Sequence, residues 1–194
     1  LPRSTPEAEG LSSRAIISFV DALDNARENN IEIHSFMIVR HGKVVAEGWW
    51  SPYRSDLKHT MYSVSKSFTS TAIGLAADEG KLSLTDKVIS FFPESLPDSV
   101  SPYLAELDVE DLLKMAVGQA QEPHEMRVTE DWVKSFLATP IGHEPGSVFL
   151  YNSAGSFMLS AIVQKATGET MIDYLQPRLF EPLGIEGADW EVNP

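Results

Sequence analysis

Apolar residues recur at two different periods along this chain, and the switches between them outline its elements. Ile16, Phe19, Val20 and Leu23 fall three or four apart, which predicts a helix over about 11–28 capped by Ser12 or Ser13. A hairpin follows: Ile33 to Arg40 and Lys43 to Trp50 flank a His41-Gly42 turn, with Ile38, Val39, Val44 and Val45 beside it and Phe36 and Trp49 further out. From 64 to 79 the helical period returns through Val64, Phe68, Ala72, Leu75 and Ala76, and Gly80 is its natural stop. Later helices are predicted near 109–116, 129–138, 154–167 and 169–180, punctuated by Asp108, Thr129, Ser153, Gly168 and Gly184. Residues 119–128 and 139–147 read as polar loops carrying Pro and Gly.

The balance of elements is itself informative. A lone two-stranded hairpin is marginal in water and leaves two open edges. One hairpin among five or six helices therefore implies either a mainly helical fold with a small ribbon or a sheet whose other strands lie elsewhere. At 194 residues the chain suffices for one domain, or one domain with a subdomain, and no internal repeat or biased tract divides it.

Composition removes several functions. With 43% hydrophobic and 22% charged residues the chain is globular in character, and its formal charge of -13 repels phosphate backbones and anionic lipid. No nucleic-acid partner is expected, and no run of about 20 apolar residues is present to span a bilayer. Cysteine is absent, which excludes disulfides, thiolate nucleophiles and zinc–cysteine sites. The sequence opens Leu1-Pro2-Arg3-Ser4 without an initiator Met or an apolar signal core, as a processed or trimmed product would, and leaves localisation open.

Ser63-Val64-Ser65-Lys66 is the leading candidate for chemistry, because it stands at the mouth of the 64–79 helix. Serine and lysine three apart share a helical face. A serine hydroxyl becomes nucleophilic when a neighbouring base takes its proton, and a helix N-terminus offers free N–H groups to a developing oxyanion. The competing reading of Ser63 is a helix cap with Lys66 solvated. The spacing alone is unspecific, since Ser55-Asp56-Leu57-Lys58 repeats it in a polar connection that opens no amphipathic helix. Tyr151, in Tyr151-Asn152-Ser153 ahead of the 154–167 helix, is a second candidate: a tyrosine near a lysine can act as general base or acid. The alternative is a half-buried aromatic beside a capping Ser153.

Several segments in the same order resemble one family. Met61-Tyr62-Ser63-Val64-Ser65-Lys66-Ser67-Phe68-Thr69-Ser70 resembles the first active-site motif of the serine β-lactamase and penicillin-binding-protein superfamily, nearest its class C β-lactamase-like esterases and peptidases. Gly80 to Val88 resembles the segment after the nucleophile helix. Asp111 to Met115 with Gly118 is similar to the short helix and pocket loop, and Pro145-Gly146 with Phe149 to Gly155 to the tyrosine motif. Glu181 to Ile185 resembles the turn closing the helical subdomain. The resemblance implies an α+β fold of β-lactamase/DD-peptidase type, an antiparallel sheet with a helical subdomain. Residues 1–60 would supply a helix and the first two strands, and 61–194 the nucleophile helix and helical subdomain.

By the same resemblance Ser63 is the acylated nucleophile, Lys66 assists its activation, Tyr151 shuttles protons, and the Ser63 backbone N–H is one oxyanion donor. Asn152, Ser153, Gly118 and Gln119 are implied as substrate-binding residues, with no metal and no organic cofactor. Substrates would be small esters, amides, β-lactams or D-alanyl peptides. The sequence departs from the pattern where Ser153 stands in place of the usual Asn, and where no late Lys-Thr-Gly or His-x-Gly segment follows Tyr151. A second polypeptide or C-terminal segment is thus expected to supply the remaining strands.

Other readings fit less of the chain. An α/β-hydrolase elbow needs a Gly two residues before its serine, where Ser153 has Tyr151. The stretch Gly74 to Gly80-Lys81-Leu82 has the wrong spacing and residue for a phosphate loop. His34, His41, His59, His124 and His143 show no ligand spacing, Trp49-Trp50 suits hairpin packing, and Glu7 with Glu9 reads as solvated surface. The rival from another class is an inactive module of this fold that binds without turnover.

Overall fold

A computed structural model describes residues 1–192. The chain forms two compact units, Leu1–Met61 and Tyr62–Pro194. In the first, helix α1 (Ser13–Glu28) begins where the Ser12 hydroxyl accepts the Ala15 N–H, so Ser12 rather than Ser13 is the cap. Strands β1 (Ser35–Arg40) and β2 (Lys43–Trp49) form an antiparallel two-stranded sheet. Both turn residues are left-handed, His41 at φ 50 and Gly42 at φ 74, as a two-residue hairpin turn matched to strand twist requires. The register slips between Ile38 and Val39, a bulge that breaks strict alternation; Val44 and Val45 are consecutive yet both buried.

Phe36 joins helix to hairpin. Its ring lies 5.8 Å from Phe19 and 5.9 Å from Trp50, and Trp50 donates its indole N–H to Asp24 at 2.6 Å. Its cross-strand partner is Gly48, where a Cβ would meet the Phe36 ring at 2.7 Å, so only glycine leaves room there. Residues Pro2–Ser4 run along the other side of β2, the Val44 N–H donating to Pro2 O and the Ser4 N–H to Val44 O.

Glu9 corrects the expectation of a solvated acid. It is buried, accepts from Lys43 Nζ at 2.7 Å and lies 3.0 Å from His41 Nδ1, which ties the first turn of chain to the hairpin tip. Hydrogen bonds from Lys43, Ser4 and His41 together hold its carboxyl down to about 2.

The second unit contains the main core. Helix α2 (Ser65–Asp78) packs its fully buried Ala72, Ile73 and Ala76 toward α6 (Ser153–Thr167), which contributes Met158, Ile162 and Val163. Small alanines one turn apart permit this close approach, and each large apolar side chain so buried contributes roughly 1.5–3 kcal/mol. Around the pair lie α3 (Pro102–Glu106), α4 (Val109–Leu113), α5 (Trp132–Ala138) and α7 (Met171–Leu175). None of the described helices is long and apolar enough to cross a membrane.

The differences from the predicted elements have local causes. α4 ends three residues early because Met115 turns left-handed at φ 54. α5 starts after Asp131, whose carboxylate accepts the Lys134 N–H at 2.8 Å, instead of at Thr129. The 169–180 helix begins at Met171 behind the Thr170 cap, then widens into a π-helical turn over Gln176–Phe180, where Pro177 has no N–H to donate. The loop read at 119–128 contains a 3₁₀ turn over His124–Val128.

Candidate active site

A 3₁₀ turn over Tyr62–Val64 delivers the chain into α2. Tyr62 holds a left-handed φ of 46, a conformation that costs a non-glycine residue about 1–2 kcal/mol, immediately before Ser63. The residue at the α2 cap position is Val64, and no side chain caps the helix there. The reading of Ser63 as a helix cap is therefore overturned. Its hydroxyl instead accepts from Lys66 Nζ at 3.2 Å and lies 2.6 Å from the Tyr151 hydroxyl. Lys66 also sits 5.1 Å from the centre of the Tyr151 ring.

Tyr151 comes from the residues just ahead of α6. Asn152 is the cap of that helix, its Oδ1 accepting the Gly155 N–H at 2.9 Å, so Ser153 is the first helical residue and not the cap. Hydrogen bonds to the Tyr151 hydroxyl from Ser63 and then Lys66 lower the phenol from its ordinary 10.0; the Lys66 charge and the Ser153 hydroxyl act in the same direction. Ser63, Lys66, Tyr151 and Ser153 thus share one cluster, which is open to solvent at Ser63 and Tyr151. Ser55 and Lys58, the second match to the same spacing, sit in the turn-rich segment 51–60 of the other unit.

The remaining candidates lie beneath this cluster. Asn152 and Gln119 are 1% and 3% exposed, and Asn152 donates its amide N–H to Gln119 Oε1 at 2.7 Å. Both polar atoms of Asn152 are occupied, whereas Gln119 Nε2 is buried without a partner among the described residues. Gly118 turns at φ 84, and a Cβ there would fall 2.2 Å from the His143 carbonyl oxygen. Its own carbonyl accepts the N–H groups of Gly142 and His143, each at 3.0 Å. Further bonds from Gly146 N–H to Ala116 O at 2.7 Å and from Leu150 N–H to Met115 O at 2.9 Å lace the 139–150 loop to the pocket loop. One residue here escaped the sequence: Glu122, whose Oε1 accepts the Ser153 N–H at 2.9 Å.

The sequence model of the Beta-lactamase family matches residues 20–194. The chain belongs to the beta-lactamase family. Among curated relatives, it is 28% identical over 168 residues to the 6-aminohexanoate-dimer hydrolase of Paenarthrobacter ureafaciens, covering 78% of this chain and 43% of that protein. It is 25% identical over 185 residues to the D-aminopeptidase of Brucella anthropi, covering 78% of this chain and 31% of the relative. The crystal structure of a β-lactamase/D-alanine carboxypeptidase from Pseudomonas syringae superposes with a TM-score of 0.72 at 26% identity, over 90% of this chain and 51% of that one. This beta-lactamase family chain spans less than half the length of these two curated relatives, whose names are those of hydrolases. The α+β fold of β-lactamase/DD-peptidase type, inferred from the motifs, is the fold these comparisons show.

Proposed function

We propose that this chain carries the acylating residues of a serine hydrolase, with Ser63 as nucleophile, Tyr151 as the proton carrier and Lys66 as its electrostatic support. One observation carries the proposal: three groups able to share a proton converge within hydrogen-bond reach, Tyr151 from a segment 88 residues away from Ser63. Ser63 Oγ attacks the carbonyl carbon of the substrate as its proton passes to the phenolate oxygen of Tyr151. The oxyanion forms against the Ser63 N–H; the carbonyl then re-forms, the bond to the leaving group breaks, and Tyr151 returns the proton to that group. Water attacks the acyl-serine by the reverse relay and regenerates Ser63. The lowered phenol of Tyr151 supports this assignment, because the same contacts that lower it favour the phenolate form that accepts a proton.

Small esters, amides, β-lactams and D-alanyl peptides are the proposed substrate classes. The names of the relatives, a dimer hydrolase, a D-aminopeptidase and a β-lactamase/D-alanine carboxypeptidase, fall in this range. Asn152 and Gln119 support the pocket from below, while Ser153 and the Gly118 turn border it.

A second polypeptide or C-terminal segment is proposed to complete the sheet. Support comes from apolar groups left in solvent: Phe19, Met37, Val39 and Trp49 on the helix and hairpin, and Tyr62, Val64, Val148 and Phe149 around the cluster. The outer edge of β1 also has no ladder partner among the described residues.

A serine-reactive phosphonate applied to the intact native protein tests the central assignment. Labelling at Ser63 that disappears in Ser63→Ala is the expected result. A folded sample that takes no label supports instead a binding module of this fold.

A further inference from the structure

The two residues that follow Tyr151, Asn152 and Ser153, are each held by one short stretch of chain, residues 119–122. Gln119 Oε1 accepts the Asn152 side-chain N–H at 2.7 Å, and three residues later Glu122 Oε1 accepts the Ser153 backbone N–H at 2.9 Å. Neither contact is a surface accident. Gln119 is 3% exposed and the Glu122 side chain 14%, and the Glu122 carboxylate is itself held by Arg127 Nη2 at 3.4 Å, with His124 Nε2 at 4.0 Å.

The orientation of the inner contact is determined by hydrogen-bond chemistry. Asn152 Oδ1 must face the Gly155 N–H to cap α6, which leaves Nδ2 to donate and obliges Gln119 to present its oxygen. The outer contact has a more direct route to the chemistry. Ser153, whose backbone N–H Glu122 fixes, stands two residues after Tyr151 at the first position of α6. A free N–H in the first turn of a helix needs an acceptor, and here the acceptor comes from 31 residues away.

We propose that Glu122, with Gln119, acts as a positioning residue: the two oxygens clasp the Asn152 side-chain amide and the Ser153 backbone N–H, and so keep the Tyr151 hydroxyl against Ser63. This rests on the assignment of Tyr151 as the proton carrier. The carboxylate of Glu122 works as a hydrogen-bond acceptor and takes no part in proton transfer. Neither residue needs to touch substrate. The requirement is geometric, since a proton relay over 2.6 Å tolerates little displacement of either oxygen.

The test uses the intact protein and three variants, Glu122→Ala, Glu122→Gln and Gln119→Leu. Two quantities are read: the single-turnover rate of Ser63 labelling by a phosphonate, and amide exchange across residues 150–156. Glu122→Ala is expected to slow labelling by roughly 10- to 100-fold and to raise exchange in that segment. Glu122→Gln keeps an oxygen for the Ser153 N–H and restores most of both. Gln119→Leu, which removes the inner oxygen, slows labelling in the same way.

Parental labelling in Glu122→Ala overturns the clasp, as does a Glu122→Gln variant that is as slow as Glu122→Ala. If Glu122→Ala does not fold, Glu122→Gln and Gln119→Leu decide: parental labelling in Gln119→Leu, or failure of Glu122→Gln to retain it, rejects the proposal. If the parent protein is never labelled at Ser63, it is the hydrolase assignment that fails. The clasp is then judged on exchange alone, supported by a rise in Glu122→Ala that Gln reverses and rejected by no change.

Discussion

The hydroxyls of Ser63 and Tyr151 stand 2.6 Å apart, a hydrogen bond that joins the start of α2 to the residues ahead of α6. Lys66 Nζ donates to the same serine oxygen at 3.2 Å, so the Ser63 hydroxyl has an ammonium on one side and the phenol on the other. Ser63 and Lys66 bond to Tyr151 in the sense that favours phenolate, so Tyr151 ionises below its ordinary 10.0. The sign follows directly. Phenolate is the basic form, and kcat/KM should rise with pH through a limb that lies under 10.0 in the parent protein. Tyr151→Phe removes that limb and lowers the rate by about 10²–10⁴. A pH–rate profile checks both, and a limb that survives in Tyr151→Phe assigns the titration to another group.

Lys66→Ala separates charge support from folding. Lys66 reaches Ser63 and the Tyr151 ring but belongs to no part of the apolar core. Its loss removes two of the influences that lower Tyr151, the hydrogen bond and the charge, so the basic limb should move upward toward 10.0. The rate at neutral pH should fall by orders of magnitude, within the roughly 10²–10⁴ range of general acid–base assistance. Thermal unfolding is expected to change little. Collapse of the fold in Lys66→Ala would make the lysine structural and leave the relay without its support.

Much of this architecture was legible because its signals are local. The His41-Gly42 turn, a serine cap at 12 or 13 and the apolar stripe of α2 each sit within a few residues, where periodicity and turn chemistry operate. α3 carries a local signal too short to show as periodicity, Ser101-Pro102, a cap and a first-turn proline whose serine accepts the Leu104 N–H at 3.2 Å. Asn152 could likewise have been preferred to Ser153 as the α6 cap from its place three residues before Gly155. Other features have no local signature. The burial of Glu9 depends on Lys43, 34 residues away, and the grip of Glu122 on Ser153 spans 31 residues. Motif order singles out Ser63, Lys66 and Tyr151, but only the folded chain shows that Asn152 gives its oxygen to the Gly155 N–H and its amide N–H to Gln119.

Gly118 and Gly168 provide a controlled comparison within the helical unit. Both are left-handed, at φ 84 and φ 77, so alanine pays about 1–2 kcal/mol of backbone strain at either position. At Gly168 the new Cβ meets nothing within 4 Å, whereas at Gly118 it falls 2.2 Å from the backbone oxygen of His143. Backbone cannot rotate away as a side chain can, so Gly118→Ala should cost about 1–3 kcal/mol more than Gly168→Ala. Urea denaturation of the two variants measures the difference. Gly118→Ala should also loosen the loop carrying Gly142 and His143, seen as faster amide exchange there. Equal midpoints for the two variants would mean that this loop yields freely.

Glu9 is expected to set the acid stability of the helix–hairpin unit. Its carboxyl is held down to about 2 from an ordinary 4.5, chiefly by Lys43, then by Ser4 and His41. A depressed carboxyl binds its proton less readily in the folded state than in the unfolded one, so its contribution is full above 4.5 and is lost as pH falls toward 2. The urea midpoint for opening of β1 and β2, followed by amide exchange over residues 35–49, should therefore decline across that window. Glu9→Gln keeps the shape but cannot titrate. It should lower the midpoint at pH 7 and flatten the decline, leaving the smaller shares of Glu7 and Asp56, whose carboxyls are lowered by Ser13 and Arg54. A decline as steep in Glu9→Gln as in the parent would place the acid sensitivity elsewhere and make the contact with Lys43 incidental.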